Sequence, residues 1–581
     1  MKQVRNLILS FFVAYAWMNI GGLESTNILL LCVFASSYIV LLYRDELVSK
    51  DRDHKKIRIA SYSLSALFAI LYALFDDLSG GLENRLFIAV FVTCSVIGLF
   101  VMFQALLEIL ITKAVRAFNE KKNLTSNAFS LKILFTYAAI VFVCCIPFLA
   151  LNYPGVMTPD SLSQLRQAIG TEEYVNHHPW IHTALIRLFY NIGYFFTKDM
   201  YSGIFSYTLF QILMVSLSIG YVIECMYESG VKKSTRICLL LTFILLPYNL
   251  MYAVTIWKDV LFSMSVLVFT VTVMRICIGA RKGHDKDDKK DSLRDAVMFV
   301  ICGFFMCVLR HNGYYAFIAT VVIWLFLMRK ELKRYIIMSL LVIVAASLCR
   351  GPLMRACHVQ KDDYVFNLCI PLQQIGRVIV DNEQMSDEQI KWLESVNSFE
   401  YIRAGYSTQG ADTMTAWVVD GDKQFFDSHK SEFFGLWAQI GIEHPVTYIK
   451  AYIDLTMGYW APMNPQQTVN FGITENGMDL YERPIISGPV LIKINELLTK
   501  LYSMIPIYGQ FYCMGGFLWL MLTFAAICIC SKRADKLYPY LPVFMLTMTL
   551  LLATPLVADL RYAYALMLTL PYIAVYSFNN D

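Results

Sequence analysis

Long runs of apolar residues, each close to the length of a membrane-spanning helix, recur along most of the 581-residue chain. A helix needs about 20 largely apolar residues to cross a bilayer, with a range of about 17 to 25. The pattern therefore predicts an all-α polytopic membrane protein with about 14 transmembrane helices. The fourteen runs lie near residues 6–22, 25–43, 59–75, 86–112, 131–151, 201–226, 235–253, 258–278, 295–310, 313–328, 335–350, 509–530, 539–557 and 560–577.

Composition supports this class. Hydrophobic residues make up 57% of the chain and charged residues 16%, whereas soluble domains average about 25% charged residues. A soluble fold cannot bury so many apolar side chains under a polar shell, which excludes a soluble enzyme, a disordered scaffold and a secreted disulfide-rich domain. The net charge of +4 gives no indication of nucleic-acid binding. Several of the 15 cysteines lie inside apolar runs and are expected to pack as small hydrophobic residues.

The distribution of lysine and arginine predicts the orientation. Cytoplasmic loops of membrane proteins are enriched in these residues. With the N-terminus in the cytoplasm, the short inner segments contain thirty of them and the short outer segments seven. We therefore expect a multi-pass protein of the cell membrane with both termini cytoplasmic. The charged loop 281–294 should lie inside as a solvated linker.

The same pattern divides the chain into four parts. Residues 1–112 form an N-terminal four-helix membrane module, in which Glu108 is the one charge within an apolar run. A membrane core, 113–350, carries the outer loop 152–200. An extracytoplasmic α or mixed domain, 351–508, is inserted between the eleventh and twelfth spans, and its stretch 442–462 reads as an amphipathic helix on the membrane surface. A three-helix part, 509–581, completes the core.

Ionisable residues gather at the predicted outer ends of the core spans. Such residues are costly at a membrane span and mark a functional site by default. Because they recur on one face, we expect them to form one site. The candidates are Asp160, His177, His178, Trp257, Lys258, Asp259, Arg310, His311, Asn312, Asp559, Arg561 and Tyr562.

Each candidate also has a purely structural interpretation. Asp160 is suited to be the N-cap of an amphipathic helix over 161–170. The histidine pair is equally suited to hydrogen bonds with backbone at the interface. The Lys–Asp pair suits snorkelling at the membrane surface, and the two arginines suit unspecific contacts with lipid head groups.

Together the residue types indicate chemistry on a lipid phosphate. Asp160 and Asp259 are candidate acid or base carboxylates. Lys258, Arg310 and Arg561 are fixed cations suited to a phosphate. The histidine and tryptophan side chains suit a sugar, and apolar grooves between helices suit a long lipid. Two carboxylates without further ligands assign no metal site, although a divalent metal stays an open alternative, and no other cofactor is expected.

The motifs that carry these residues resemble those of the GT-C glycosyltransferases, polytopic enzymes that use polyprenyl-phosphate-linked sugars and include protein O-mannosyltransferases and lipid A aminoarabinose transferases. Pro159-Asp160-Ser161 and His177-His178-Pro179 look like the acidic and His/Pro motifs of their first outer loop. Trp257-Lys258-Asp259 resembles their second acidic turn, and Asp559-Leu560-Arg561-Tyr562 their late acidic-x-Arg-Tyr turn. The resemblance covers about 131–350 and 509–577 and looks closest to an uncharacterised bacterial branch.

The chain departs from that pattern at three points. Ser161 stands where many members have Glu, four spans precede the core, and the large outer domain follows the eleventh span instead of ending the chain. Because of these differences, the resemblance does not determine the identity of the acceptor or whether the reaction depends on a metal.

The resemblance implies an inverting glycosyltransferase of the outer membrane face. The donor would be a polyprenyl-phosphate sugar, and the acceptor an envelope glycan, lipid or protein. Asp160 would deprotonate or orient the acceptor hydroxyl, and the cations would hold the departing phosphate. Two other classes stay open: a transporter or flippase of a lipid-linked glycan, and a non-catalytic partner in envelope assembly that binds through 351–508. Membrane lipids are expected as partners, and nucleic acid is not.

Overall fold

The computed structural model describes residues 2–49, 54–76, 78, 84–119, 127–282, 289–327, 333–462, 470–474 and 477–579. Within these ranges the chain forms helices and isolated β-bridges but no β-strand. The prediction of an all-α protein is confirmed for this part of the chain. The predicted inner loop 281–294 lies partly outside it, because residues 283–288 are not described.

The α-helices are α1 (Lys2–Ile20), α2 (Ile28–Ser49), α3 (His54–Phe75), α4 (Arg85–Asn119), α5 (Leu131–Leu151), α6 (Pro159–Ile169), α7 (Trp180–Thr197), α8 (Met200–Glu228), α9 (Lys233–Leu245), α10 (Pro247–Val254), α11 (Lys258–Lys282), α12 (Lys289–Val308), α13 (His311–Leu327), α14 (Lys333–Leu348), α15 (Met354–Ala356), α16 (Cys369–Val380), α17 (Asp387–Glu394), α18 (Phe399–Gly405), α19 (Asp412–Val419), α20 (Lys423–Ser428), α21 (Lys430–Glu443), α22 (Pro445–Trp460), α23 (Pro489–Met504), α24 (Met514–Cys530), α25 (Leu541–Leu552) and α26 (Leu560–Asn579).

Several of these helices have the length and apolar composition of membrane spans. Seven qualify among the described residues, and an eighth results if α9 and α10, bent by 65° relative to each other, count as one span. Shorter apolar helices coincide with four further predicted runs, at 313–328, 509–530, 539–557 and 560–577. The protein therefore has the helices of a membrane protein. The seven helices that qualify are Ile28–Val48, His54–Phe75, Leu86–Phe118, Leu131–Leu151, Met200–Glu228, Lys258–Ile278 and Arg334–Ala356.

The chain divides into two compact units. The first consists of Met1–Lys121, Trp460–Asn464 and Gly515–Leu537. Within it, α1 and α4 approach so closely that a Cβ at Gly98 would lie 2.0 Å from the carbonyl oxygen of Phe12. The ring of Trp519 stacks on Phe68, with ring centroids 4.0 Å apart. This aromatic contact places most of α24 with the N-terminal helices, although the sequence pattern assigns it to the C-terminal part of the core.

The second unit consists of Lys122–Tyr459, Pro465–Met514 and Tyr538–Asp581. Helix α8 packs on α5 and α7, and α11 packs on α8, α12 and α26. Gly220 allows a close approach of α8 to α5, because a Cβ there would lie 2.5 Å from the carbonyl oxygen of Leu134 on α5. Small residues at such crossings are typical of packed membrane helices. This bundle positions the candidate site.

The inserted region 351–508 belongs mostly to the second unit, and the regular elements in its described part are helices. Its core contains Leu372, Ile375, Trp417, Phe426 and Phe433, all fully buried. The predicted surface helix at 442–462 corresponds to α22. One side of α22 is buried, whereas the apolar side chains of Val446 and Ile449 are exposed. Its place on the membrane surface stays a prediction.

Candidate functional site

The loop after α5 is fixed against the turn before α11, and this pairing builds the site. The backbone N–H of Val156 donates to the carbonyl of Val254 at 2.9 Å, and that of Ile256 donates to the carbonyl of Val156 at 3.0 Å. The indole N–H of Trp257 donates to Thr158 Oγ1 at 2.7 Å. These bonds hold the first turn of α6, which carries Asp160, beside the first turn of α11.

Asp160 is not the N-cap of its helix. Helix α6 begins at Pro159, Thr158 is the N-cap, and the backbone N–H of Thr158 donates to Ser161 Oγ at 3.2 Å. Ser161 Oγ in turn donates to the carbonyl of Ile256 at 2.8 Å. The capping interpretation of Asp160 is therefore wrong, because proline at the first helical position moves the cap one residue earlier. The carboxylate is left available for contacts outside its own helix.

Asp160 lies at the centre of a charged network. Its Oδ2 atom is 2.8 Å from Nη1 of Arg561 and 3.5 Å from Nζ of Lys258. Arg561 Nε also donates to Asp559 Oδ2 at 2.5 Å. The side chains of Lys258 and Arg561 are 13% and 12% exposed, whereas that of Asp160 is 30% exposed. Asp160 is thus the member of this group that solvent reaches most easily.

A second ion pair lies deeper. Arg310 Nη1 is 3.0 Å from Asp259 Oδ1, and the Asp259 side chain is only 1% exposed. The two groups are poorly aligned for a hydrogen bond, so neither carboxylate oxygen of Asp259 nor Nη1 of Arg310 has a hydrogen-bond partner among the described residues. The guanidinium of Arg310 lies over the ring of Tyr562 at 4.8 Å. Both ions of this pair are therefore buried inside the protein.

The two arginines also stack on aromatic rings. Arg561 lies over Trp257 at 5.1 Å and over Tyr562 at 5.0 Å. Because Tyr562 contacts both guanidinium groups, it joins the two ion pairs into one cluster, which we call the charged cluster. Its members are Asp160, His178, Trp257, Lys258, Asp259, Arg310, Asp559, Arg561 and Tyr562.

The two neighbouring histidines have different surroundings. Nδ1 of His178 lies 3.2 Å from Nζ of Lys258, so this ring nitrogen accepts a hydrogen bond from the ammonium group. Burial and the charge of Lys258 both lower the pKa of His178, which keeps the ring neutral. His177 instead lies 3.1 Å from Asp362 Oδ1 and packs on Phe366. His177 is therefore outside the charged cluster.

His311 and Asn312 are neighbours of the cluster in sequence but bind other partners. Nε2 of His311 is 2.9 Å from the carbonyl oxygen of Asn176, and Asn312 Nδ2 donates to Thr549 Oγ1 at 3.1 Å. These bonds hold the turn between α12 and α13 in place. Their role in the structure is to position Arg310.

The two carboxylates on Arg561 differ in acidity. Burial opposes ionisation of Asp160, but the charges of Lys258 and Arg561 outweigh it and hold the pKa of Asp160 well below its usual range. Burial raises the pKa of Asp559, and Arg561 offsets this effect only in part. Asp160 therefore stays ionised over the whole physiological pH range, and it is a weak proton acceptor.

The sequence pattern missed a buried polar network that supports the cluster. His182 Nδ1 contacts Gln164 Oε1 of α6 at 3.0 Å, and its Nε2 contacts the hydroxyl of Tyr207 at 2.7 Å. Gln211 Nε2 donates to the carbonyls of Thr255 and Ala253 at 2.7 and 3.0 Å. A glutamine inside the apolar run of α8 was the available signal, since polar groups within a span seldom lack a function.

Replacing Gln211 by methionine is expected to destabilise the protein. The substitution keeps the size of the side chain and removes the amide donor that Gln211 offers to the buried carbonyls of Ala253 and Thr255, a loss of about 1–3 kcal/mol in the free energy of unfolding. Thermal unfolding in detergent would measure the change. Ser218→Ala on the same helix is the control, because the Ser218 hydroxyl donates to the carbonyl of Met214 within its own helix, and its loss should shift stability by at most about 0.5 kcal/mol. An equal midpoint for Gln211→Met and Ser218→Ala would contradict the support role.

The charged cluster suits an anion better than a metal ion. Within the described ranges no group of three or more His, Cys, Asp and Glu residues lies close enough to hold a metal. Asp160 and Asp259, the two candidate ligands, each face a cation instead. Cations at this distance would repel a divalent metal. The residues present therefore do not fit the divalent-metal site that the two carboxylates suggested as an alternative.

A comparison with protein families gives a match, whereas no curated protein and no solved structure matches the chain. The matching model is described as a family of unknown function, DUF6020, and covers residues 170–581. The matched region contains Lys258, Asp259, Arg310, Asp559 and Arg561, and it begins after Asp160. Because the model matches more than half of the chain, the protein belongs to the DUF6020 family.

Proposed function

We propose that the protein is an integral-membrane glycosyltransferase that moves a sugar from a polyprenyl-phosphate donor to a cell-envelope acceptor. The observation that carries the proposal is the charged cluster, in which Lys258 and Arg561 flank the accessible carboxylate of Asp160 and Tyr562 links Arg561 to Arg310. The enzyme would be of the GT-C type, with fourteen spans, both termini in the cytoplasm and the site at the outer face. The strong bias of lysine and arginine supports this orientation.

The cations support a phosphate leaving group. Lys258, Arg310 and Arg561 lie on separate helices or turns that the fold brings together. Nη1 of Arg310 is buried and has no hydrogen-bond partner within the described part of the chain, so a phosphate oxygen would supply the acceptor it lacks. Fixed cations in a dry site stabilise charge that develops on a departing phosphate.

An apolar groove beside the cluster supports a lipid-linked donor. A cavity of about 380 Å³ lies between α5, α7, α8, α11 and α12. Its lining includes Leu309, the residue before Arg310, and Leu261, two residues after Asp259. Along α8 it extends from Phe210 to Tyr221, which is roughly 16 Å at the rise of an α-helix. The groove thus begins within a helical turn of the cations and is long enough for part of an isoprenoid chain.

The reaction is a single displacement. The acceptor hydroxyl attacks the anomeric carbon, a new C–O bond forms, and the bond between that carbon and the phosphate oxygen breaks with inversion. Asp160 accepts a hydrogen bond from the attacking hydroxyl and orients it. The hydroxyl proton leaves through Asp160 to solvent, because the low pKa of this carboxylate prevents it from keeping the proton. The polyprenyl phosphate departs bound to the cations.

Binding of the carrier tests the proposal without knowledge of the sugar. The purified protein in detergent should bind undecaprenyl phosphate at least tenfold more tightly than undecaprenol, because only the phosphate forms charge-assisted hydrogen bonds with the cations. Lys258→Gln should reduce this preference. Arg187→Gln is the matched control, since Arg187 is exposed on α7 and forms no ion pair within the described ranges. Equal affinity for the alcohol and the phosphate would overturn the proposal.

A further inference from the structure

The first unit contains a second cluster of charges that the proposed glycosyltransferase reaction does not use. A cavity of about 210 Å³ lies at one end of the N-terminal helices. It is lined by Lys2, Arg5, Arg44, Asp45, Val48, Arg58, Tyr62 and Glu108. Four cations therefore face two carboxylates. Glu108, the charge that stands out in the apolar run of α4, forms part of its wall.

Both carboxylates are already bound by neighbouring side chains. Asp45 Oδ1 accepts from Nη2 of Arg44 at 2.7 Å, and Asp45 Oδ2 pairs with Arg5. Glu108 Oε1 contacts Nε2 of His54 at 2.5 Å, and Gln104 donates to its other oxygen. Asp45 thus pairs with Arg5 and Arg44, and Glu108 pairs with Arg44, whose Nε atom lies 3.8 Å from Glu108 Oε2.

Two cations remain without an acidic partner. Lys2 and Arg58 form no ion pair with any described residue, although Arg58 lies over the ring of Tyr62 at 5.6 Å. With the carboxylates neutralised by other residues, these two side chains leave the cavity positively charged. A basic pocket between the ends of membrane helices is the kind of site that holds a lipid head group.

The surfaces beside the cavity are apolar and exposed. Ile8 and Phe11 on α1, Leu42 on α2 and Ile59 on α3 are 54%, 60%, 38% and 58% exposed. They lie within about two helical turns of the lining cations in sequence. An acyl chain would therefore have an apolar surface to follow from a phosphate bound in the cavity.

We propose that this cavity is a binding site for a phosphate group, presented by an anionic phospholipid of the surrounding membrane, with Lys2 and Arg58 as its principal contacts. Both side chains line the same cavity of about 210 Å³, so one phosphate group bound there offsets part of their positive charge. The site lies wholly within the first unit and is independent of the charged cluster.

Titration of the full-length protein in detergent with short-chain lipids tests this site. Dihexanoyl-phosphatidylglycerol should bind at least tenfold more tightly than dihexanoyl-phosphatidylcholine in isothermal titration calorimetry, because the cations repel the choline group. The variant with both Lys2→Gln and Arg58→Gln should lose this preference. It should also fold normally, because neither side chain has a carboxylate partner that its removal would leave unpaired. Lys113→Gln is the control, since Lys113 lies on the same unit, over the ring of Tyr43, outside the cavity.

A third titration, with inorganic phosphate, separates the two sources of the ligand. Weak binding of free phosphate together with tight binding of phosphatidylglycerol supports the lipid. In the opposite outcome, free phosphate binds as tightly as the lipid and loses this affinity in the double variant. That result supports the phosphate site and overturns its assignment to a phospholipid. Unchanged lipid affinity in the double variant, or equal affinity for the two lipids, would overturn the site itself.

Discussion

Asp160→Asn should lower the rate of sugar transfer by about 10²- to 10⁴-fold, the usual effect of removing a group that handles the acceptor proton. Asparagine keeps the shape of the side chain and is tolerated in the first turn of a helix. It removes one negative charge from among Lys258 and Arg561. The affinity for undecaprenyl phosphate should therefore be retained or increased. The variant would then lose transfer activity while it keeps donor binding.

The measurement is transfer from undecaprenyl-phosphate-linked hexoses in membrane vesicles, with binding of undecaprenyl phosphate determined in parallel. Asp199→Asn is the matched control, because Asp199 is also a carboxylate at the start of a helix, the N-cap of α8. A wild-type transfer rate in Asp160→Asn would show that Asp160 does not act on the acceptor. Movement of the donor across the bilayer by the wild type without cleavage would favour the transporter.

The pH dependence of transfer follows from the same contacts. Burial raises the pKa of Asp160, but the stronger effect of Lys258 and Arg561 places it below the usual value. A carboxyl group with a lowered pKa is ionised at all higher pH values and loses its charge only as the pH falls through that lowered value. Between about pH 5 and pH 8 the rate should therefore show no loss that is due to protonation of Asp160.

Arg310→Met should destabilise the protein by about 3–5 kcal/mol, because it leaves the buried carboxylate of Asp259 without its ion-pair partner. Asp259 has no hydrogen bond within the described ranges that would compensate. The double variant Asp259→Asn with Arg310→Met removes both charges and should recover most of the loss. The comparison separates the cost of an unpaired charge from the contribution of the pair itself.

The midpoint of thermal unfolding in detergent and the yield of monodisperse protein would report this effect. Arg187→Met replaces an exposed arginine of the same unit and should change stability by no more than about 0.5 kcal/mol. If Arg310→Met unfolds at the wild-type temperature, or if the double variant is no more stable than Arg310→Met, the ion pair does not stabilise the fold.

The sequence was sufficient to locate most of the helices. An apolar run of about 20 residues has few alternatives to a helix in a membrane, because every backbone N–H and C=O must be hydrogen bonded within the segment. The same cost of polar groups at membrane spans made Asp160, Lys258, Asp259, Arg310 and Arg561 recognisable before their positions were known. The number of spans and their orientation stay predictions.

Only the tertiary structure decided how these residues pair. Asp160 and Arg561 are 401 positions apart, and nothing local to either residue indicates that they share a hydrogen bond. His177 and His178 are adjacent and chemically identical, yet one contacts Asp362 and the other Lys258. The proton affinity of Asp160 depends on the same distant cations. Local patterns in the sequence identified the polar groups that are costly at a membrane span. The packing of helices far apart in the chain determined which charges neutralise one another, because electrostatic energy depends on distance in space and not on separation in sequence.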